Sequence, residues 1–173
     1  MIETHFGRIE DLRTDNTTNK NTDQLGYTNA EIHLHTDQPF IADPPGMQLL
    51  QSIRRADVGG ESFVVDSRQA ALFLRDTDYA AWRTLTTVPV AFHRRQKAFE
   101  SVWRGPIIQL GTNGPDDITQ IRHSYFTLAP HNLPFSEMEE FYRAYNKYSD
   151  ILRDPVRTSL ADQAKIAREI VKC

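Results

Sequence analysis

The run Tyr27-Thr28-Asn29-Ala30-Glu31-Ile32-His33-Leu34-His35-Thr36-Asp37-Gln38-Pro39 alternates apolar Ile32 and Leu34 with polar His33, His35 and Asp37. That period of two predicts an extended strand with one apolar and one polar face. In a strand, residues i and i+2 project from the same face, so His35 and Asp37 are spaced to reach one ion. An imidazole beside a carboxylate supplies two members of the two-His-one-carboxylate set that holds non-haem Fe(II). The second histidine must come from elsewhere. His33 shares the face, but positions i and i+4 lie roughly 13 Å apart along an extended chain, so it reads as a neighbour rather than a ligand. Taken alone, the tripeptide also describes a surface histidine beside a turn aspartate.

The chain of 173 residues predicts one domain, large enough to bury a core without staples. Its 20 Lys and Arg against 23 Asp and Glu give no basic footprint for nucleic acid or a membrane surface. The single cysteine, Cys173, leaves no disulfide framework or cysteine metal site within the chain. No stretch approaches the roughly 18 apolar residues of a membrane span, and Met1-Ile2-Glu3-Thr4-His5 lacks the pattern of a secretory signal. The expectation is a soluble intracellular protein, cytoplasmic or organellar, the mitochondrion included.

Outward from the opening run, residues 14–23 are polar and read as a surface loop. After Pro39, Pro44, Pro45 and Gly46, Met47-Gln48-Leu49-Leu50-Gln51-Ser52-Ile53 predicts a strand that pairs with Ser62-Phe63-Val64-Val65 through a turn at Asp57-Val58-Gly59-Gly60. Asp66 or Ser67 caps a predicted helix through Ala70 and Leu74, and a second helix follows around Tyr79-Ala80-Ala81-Trp82-Arg83-Thr84-Leu85. Strands are predicted at residues 88–92, 106–110 and 118–126, the last two forming a hairpin. Arg94-Arg95-Gln96-Lys97 reads as a solvated loop. Ser136 and Glu139 form a capping box for a helix in which Met138, Phe141, Tyr142, Tyr145, Tyr148, Ile151 and Leu152 recur at spacings of three and four. A weaker terminal helix is predicted beyond Pro155.

Leu34-His35-Thr36-Asp37-Gln38-Pro39, Pro44-Pro45-Gly46-Met47-Gln48-Leu49-Leu50, Gly59-Gly60-Glu61-Ser62, Val65-Asp66, Phe92-His93-Arg94-Arg95-Gln96-Lys97-Ala98-Phe99-Glu100 and Ile121-Arg122-His123-Ser124-Tyr125-Phe126 together resemble the family of taurine dioxygenase, gamma-butyrobetaine hydroxylase and trimethyllysine dioxygenase. The resemblance implies Fe(II)- and 2-oxoglutarate-dependent oxygenase chemistry with O2 on a small-molecule substrate. It also implies a mainly β fold with helical inserts (α+β), a double-stranded β-helix of the cupin-like jelly-roll type. By the same resemblance, His35 and Asp37 match the first two iron ligands and Leu50 a position lining the 2-oxoglutarate pocket. Tyr27 matches an aromatic residue of a trimethylammonium cage, whose attraction for a cation comes from the ring face. Gln38 replaces the tyrosine that completes that cage, and Ser124 replaces a substrate-contacting asparagine. The substrate class therefore spans gamma-butyrobetaine-like carnitine precursors, sulfonates and other small carboxylates, and a homo-oligomer stays open.

The family continues past the equivalent of Asp154-Pro155 into strands carrying the distal iron-binding histidine and a downstream arginine that pairs with 2-oxoglutarate. Residues 156–173 contain no histidine and no aromatic residue. The reading is thus a partial oxygenase domain at 1–155, an incomplete jelly roll, followed by a divergent tail at 156–173. The alternative is a non-catalytic binding or regulatory module that keeps the scaffold.

Overall fold

Asp66, in an extended conformation, accepts a hydrogen bond from the Gln69 amide at 2.9 Å and opens helix α1 (Ser67–Thr77). This satisfies one of the four amides that a helix start leaves unpaired. Asp78 ends α1, its amide donating to the Leu74 carbonyl, and its carboxylate accepts from Ala81 N–H to start helix α2 (Tyr79–Thr87). Lys147 reaches the same carboxylate, and this contact, followed by the Ala81 bond, holds Asp78 below the usual carboxylate range.

The computed structural model of the chain describes residues 9–12, 25–28, 30–54, 57–59 and 62–154. Strands β1 (Val90–Gln96) and β2 (Phe99–Gly105) form an antiparallel hairpin closed by Lys97 and Ala98, with Gln96 opposite Phe99. Strands β3 (Ile108–Leu110) and β4 (Ile118–Ile121) form a second, with a register slip at Gln109/Leu110. The free edge of β1 takes residues 127–129, through His93 N–H to Thr127 O and Ala129 N–H to Ala91 O, both 2.8 Å.

Helix α3 (Phe135–Arg153) buries Phe141, Ala144, Tyr145, Tyr148, Ile151 and Leu152 on one face. They join Leu74, Trp82, Leu85, Val90, Phe92, Ile107 and Ile108 in one core. Full burial of each large apolar side chain contributes about 1.5–3 kcal/mol, so this face of α3 outweighs any propensity term in the helix itself. Two polar ties set its placement. Tyr148 OH donates to the Ser67 carbonyl at 2.9 Å, and Thr84 Oγ1 to Glu140 Oε1 at 3.0 Å.

The three helices and the β3–β4 hairpin agree with the sequence expectation. Several other expectations do not hold. Residues 30–37 form no strand, because the described backbone finds a cross-chain partner at Thr36 only, and alternation without a ladder leaves an irregular extended segment. Residues 47–53 form neither a strand nor a hairpin with 62–65; Met47, Leu49, Leu50 and Ile53 all stand exposed. The basic cluster is not a loop but the end of β1 and its turn, and β2, unpredicted, follows it. The strand expected over 118–126 stops at Ile121. Helix α3 begins at Phe135 behind Pro134 with no side-chain cap, so the Ser136/Glu139 box does not form. A mainly β composition does not hold for the described residues either. They combine two small antiparallel sheets with helices that hold more residues than the strands. The terminal helix expected beyond Pro155 lies outside the described residues. No helix among those described is long and apolar enough to cross a membrane.

Candidate metal centre

Arg122 and His123, directly after β4, hold the segment that carries His35 and Asp37. Arg122 N–H donates to Ile107 O at 2.9 Å, which extends the β3–β4 pairing by one residue. Its side chain is almost fully buried. One guanidinium nitrogen donates to Gln109 Oε1 and the other to the carbonyls of Ile41 and Ala42, at 3.2 and 2.7 Å. The guanidinium carbon lies 3.5 Å from the centroid of the Trp103 ring. Such an arrangement desolvates a cation against a π-face and neutral acceptors. Burial pulls the group down to about 10, so it remains charged at neutral pH. Gly105, two residues along β2 on the same face as Trp103, leaves the space for this stack, since a Cβ there would overlap the indole.

His123 is buried with its ring stacked on Tyr145 of α3, centroids 5.0 Å apart, and edge-on to Tyr148. Burial drives its pKa down to about 4, with Arg153 and His35 adding smaller unfavourable charge. Its backbone clasps Thr36. Thr36 N–H donates to His123 O at 2.7 Å, while His123 N–H donates to Thr36 Oγ1 at 2.9 Å.

On either side of Thr36 the two candidate donors converge. His35 Nε2 lies 3.1 Å from Asp37 Oδ1, and His35 Nδ1 lies 2.7 Å from the carbonyl of His33. A carbonyl only accepts, which assigns the Nδ1 position to N–H. Nε2 then faces the carboxylate either with a proton or, with that proton gone, as a metal ligand. The bond to Asp37 raises the His35 pKa, against partial burial, with the His33 carbonyl and the Asp37 charge adding to the rise. Phe126 sits edge-on to the His35 ring at 5.4 Å. The Asp37 side chain is about half exposed, the His35 side chain a quarter.

Gln38 follows with a left-handed backbone, φ 51°, and is buried with its Oε1 lacking a hydrogen-bond partner among the described residues. Left-handed backbone is uncommon outside glycine and, in a buried side chain, marks strain held by its surroundings. Pro39 and Phe40, next along the chain, are buried, and the Phe40 carbonyl accepts from Ser101 Oγ at 2.8 Å. Tyr27, on a single 3-10 turn, is buried and donates to Glu10 Oε1 at 2.6 Å. Burial raises the Glu10 pKa, the Tyr27 bond opposes this, and the nearby Asp37 charge adds to the rise. Glu10, which holds the Tyr27 hydroxyl, thus lies within electrostatic reach of Asp37.

Ser124 is fully buried and accepts from Thr127 Oγ1 at 2.7 Å, a local tie inside the bend that follows His123. Leu50 is 64 % exposed on the irregular segment at 47–53, so the described residues enclose no pocket around it. Among the expected site residues, then, the structure unites His35 and Asp37, has Gln38 next to them in the chain, ties Tyr27 to Glu10, and leaves Leu50 exposed. The sequence reading missed Thr36 as a clasp, Arg122 and His123 as its anchors, and Glu10. Thr36 could have been noticed as a hydroxyl between two donors; Glu10 has no local signal.

No group of three or more His, Cys, Asp or Glu assembles to hold a metal among the described residues. One nitrogen and one carboxylate oxygen fit two positions of a divalent cation with mixed N/O preference. The two terminal nitrogens of Arg122 are bonded to Gln109, Ile41 and Ala42 and its Nε is buried without a partner among the described residues, so the guanidinium faces the protein interior rather than an open keto-acid site.

The family model described as taurine catabolism dioxygenase TauD, TfdA family matches residues 2–162. A gamma-butyrobetaine dioxygenase of Pseudomonas sp. is 31% identical over 153 residues, covering 88% of this chain and 38% of the relative. A trimethyllysine dioxygenase of Meyerozyma guilliermondii is 30% identical over 158 residues, with the same coverage. Dioxygenase str8 of Strobilurus tenacellus is 28% identical over 155 residues, covering 90% of this chain and 35% of the relative. The chain thus spans under two fifths of the length of these curated relatives. With a matching family model across most of its length and the expected donor pair brought together, this chain belongs to the TauD/TfdA dioxygenase family.

Proposed function

We propose that the chain contributes the first two Fe(II) ligands, His35 and Asp37, of a 2-oxoglutarate-dependent dioxygenase that hydroxylates a small molecule. The observation carrying this reading is the 3.1 Å approach of His35 Nε2 to Asp37 Oδ1, with Nδ1 turned onto the His33 carbonyl. When bound, the iron and the keto acid supply the oxidative chemistry. The residues of this chain orient the imidazole and set its tautomer, and because the Asp37 bond raises the His35 pKa, a cation and a proton compete for Nε2.

The substrates for which the relatives are named, gamma-butyrobetaine and trimethyllysine, suggest a small amino-acid-like substrate for this chain. Tyr27, Gln38 and Ser124 are the proposed substrate-side residues and Leu50 a proposed keto-acid contact. Gln38 offers an amide where a cation cage calls for an aromatic face, which favours a substrate recognised by hydrogen bonds over one recognised by cation–π contact. The distal histidine and keto-acid arginine implied by the resemblance have no match in the sequence, so this chain by itself is proposed to bind metal without full turnover. A non-catalytic module retaining the scaffold is the second reading, favoured by the absence of a three-donor group among the described residues.

Mn(II) binding, followed by the loss of the free-ion EPR signal, tests the donor pair. One saturable site is expected, with His35→Ala and Asp37→Asn each weakening it about tenfold or more, as removal of one of two protein ligands should. Equal binding by wild type and both variants would overturn the assignment.

A further inference from the structure

We infer that Thr36 is a positioning residue for the His35/Asp37 pair, acting through its hydroxyl; this rests on the reading that the pair holds a cation. The donors sit in a segment with no strand ladder to fix them, and both are partly exposed. What fixes them is the reciprocal bond between Thr36 and the His123 backbone, 87 positions away. In an antiparallel pair the amide of one strand is answered by the backbone carbonyl of the other. Here the threonine hydroxyl takes the carbonyl's place, at 2.9 Å from His123 N, while its own hydrogen lies toward His123 O at 3.3 Å. A two-residue ring thus closes where no ladder exists.

The anchor is rigid on the other side. The His123 ring is held against Tyr145 and Tyr148 of α3, and Arg122 is bonded to Ile107. Arg122 also grips the carbonyls of Ile41 and Ala42. The Arg122-His123 dipeptide therefore fixes the donor segment at two points, 36 and 41–42, with Asp37 and the strained Gln38 between them. Release at 36 frees both donors at once, because Thr36 lies between them in sequence and the i, i+2 approach of Nε2 to Oδ1 depends on its conformation.

The test compares the full chain carrying Thr36→Val, which keeps the shape and removes the hydroxyl, with Thr36→Ser, which keeps the hydroxyl. Mn(II) affinity and the 15N relaxation of the His35, Thr36 and Asp37 amides in metal-free protein are both read. The expected result is a Kd about 10–100-fold weaker in Thr36→Val and close to wild type in Thr36→Ser, the range seen when a partner orienting a metal ligand is removed. The three amides become more mobile in Thr36→Val only. Wild-type affinity and wild-type relaxation in Thr36→Val would overturn the inference. If wild type binds no Mn(II), the functional reading fails instead, and the relaxation comparison alone decides whether the clasp exists.

Discussion

Replacing Arg122 by Met is expected to destabilise the chain by about 3–5 kcal/mol, the cost of stranding several buried acceptors at once. Arg122→Met approximates the side-chain volume but removes every donor that answers Gln109 Oε1 and the carbonyls of Ile41 and Ala42. An ion pair replaced by apolar groups on both sides can be neutral. That escape is closed here, because two of the acceptors are backbone and remain in place. The Trp103 stack is lost as well. Lysine is not a substitute, since a single ammonium cannot span the side-chain amide and the two carbonyls that the planar guanidinium reaches together. Urea unfolding at neutral pH measures both variants. A loss below about 1 kcal/mol for Arg122→Met, the level of an ordinary surface change, would show that the acceptors find other partners.

The second large effect is a dependence of stability on pH that originates at His123. The group titrates near 6.5 when unfolded and, buried against Tyr145 and Tyr148, near 4 when folded. Between these values the unfolded chain binds the extra proton, so stability rises with pH across the window and is lost as pH falls through it. The difference is about 3 kcal/mol, complete above the unfolded value and gone at the folded one. His35 acts in the opposite sense. Its raised folded pKa gives stability that is present at low pH and lost as pH rises through that value. His123→Phe keeps an aromatic ring in the stack and the backbone bonds to Thr36 while removing the titration. Unfolding free energies at pH 7 and pH 4.5 should differ strongly in wild type and much less in the variant. Identical pH profiles for the two would place the sensitivity elsewhere.

The parts of the fold that were legible in the sequence are those whose causes are local. Asp66 and Asp78 cap the helices they precede, and the face repeating through Phe141, Tyr145, Tyr148 and Leu152 is the buried one. Strands failed where the missing information was a partner. Met47, Leu49, Leu50 and Ile53 are apolar enough for a strand, yet nothing pairs with them among the described residues and they remain exposed. Strand β2 shows the converse. Phe99, Ser101 and Trp103 alternate with exposed Glu100, Val102 and Arg104, a period of two that the neighbouring basic cluster obscured.

The candidate site divides in the same way. His35 and Asp37 were legible because their pairing depends on a spacing of two residues. Thr36, Arg122 and His123 were not, because the bonds that give them meaning join positions 80 or more residues apart. Glu10 is linked to Asp37 by charge and to Tyr27 by a hydrogen bond, neither of which a linear pattern records.

The most direct measurement of the central claim is anaerobic titration of the full chain with Fe(II) in the presence of 2-oxoglutarate, watching for the visible charge-transfer band of the chelate, with His35→Ala alongside. The account predicts saturable Fe(II) binding and a band in wild type, both lost in His35→Ala. A folded chain that binds no Fe(II), or that gives the same band with and without His35, would contradict it.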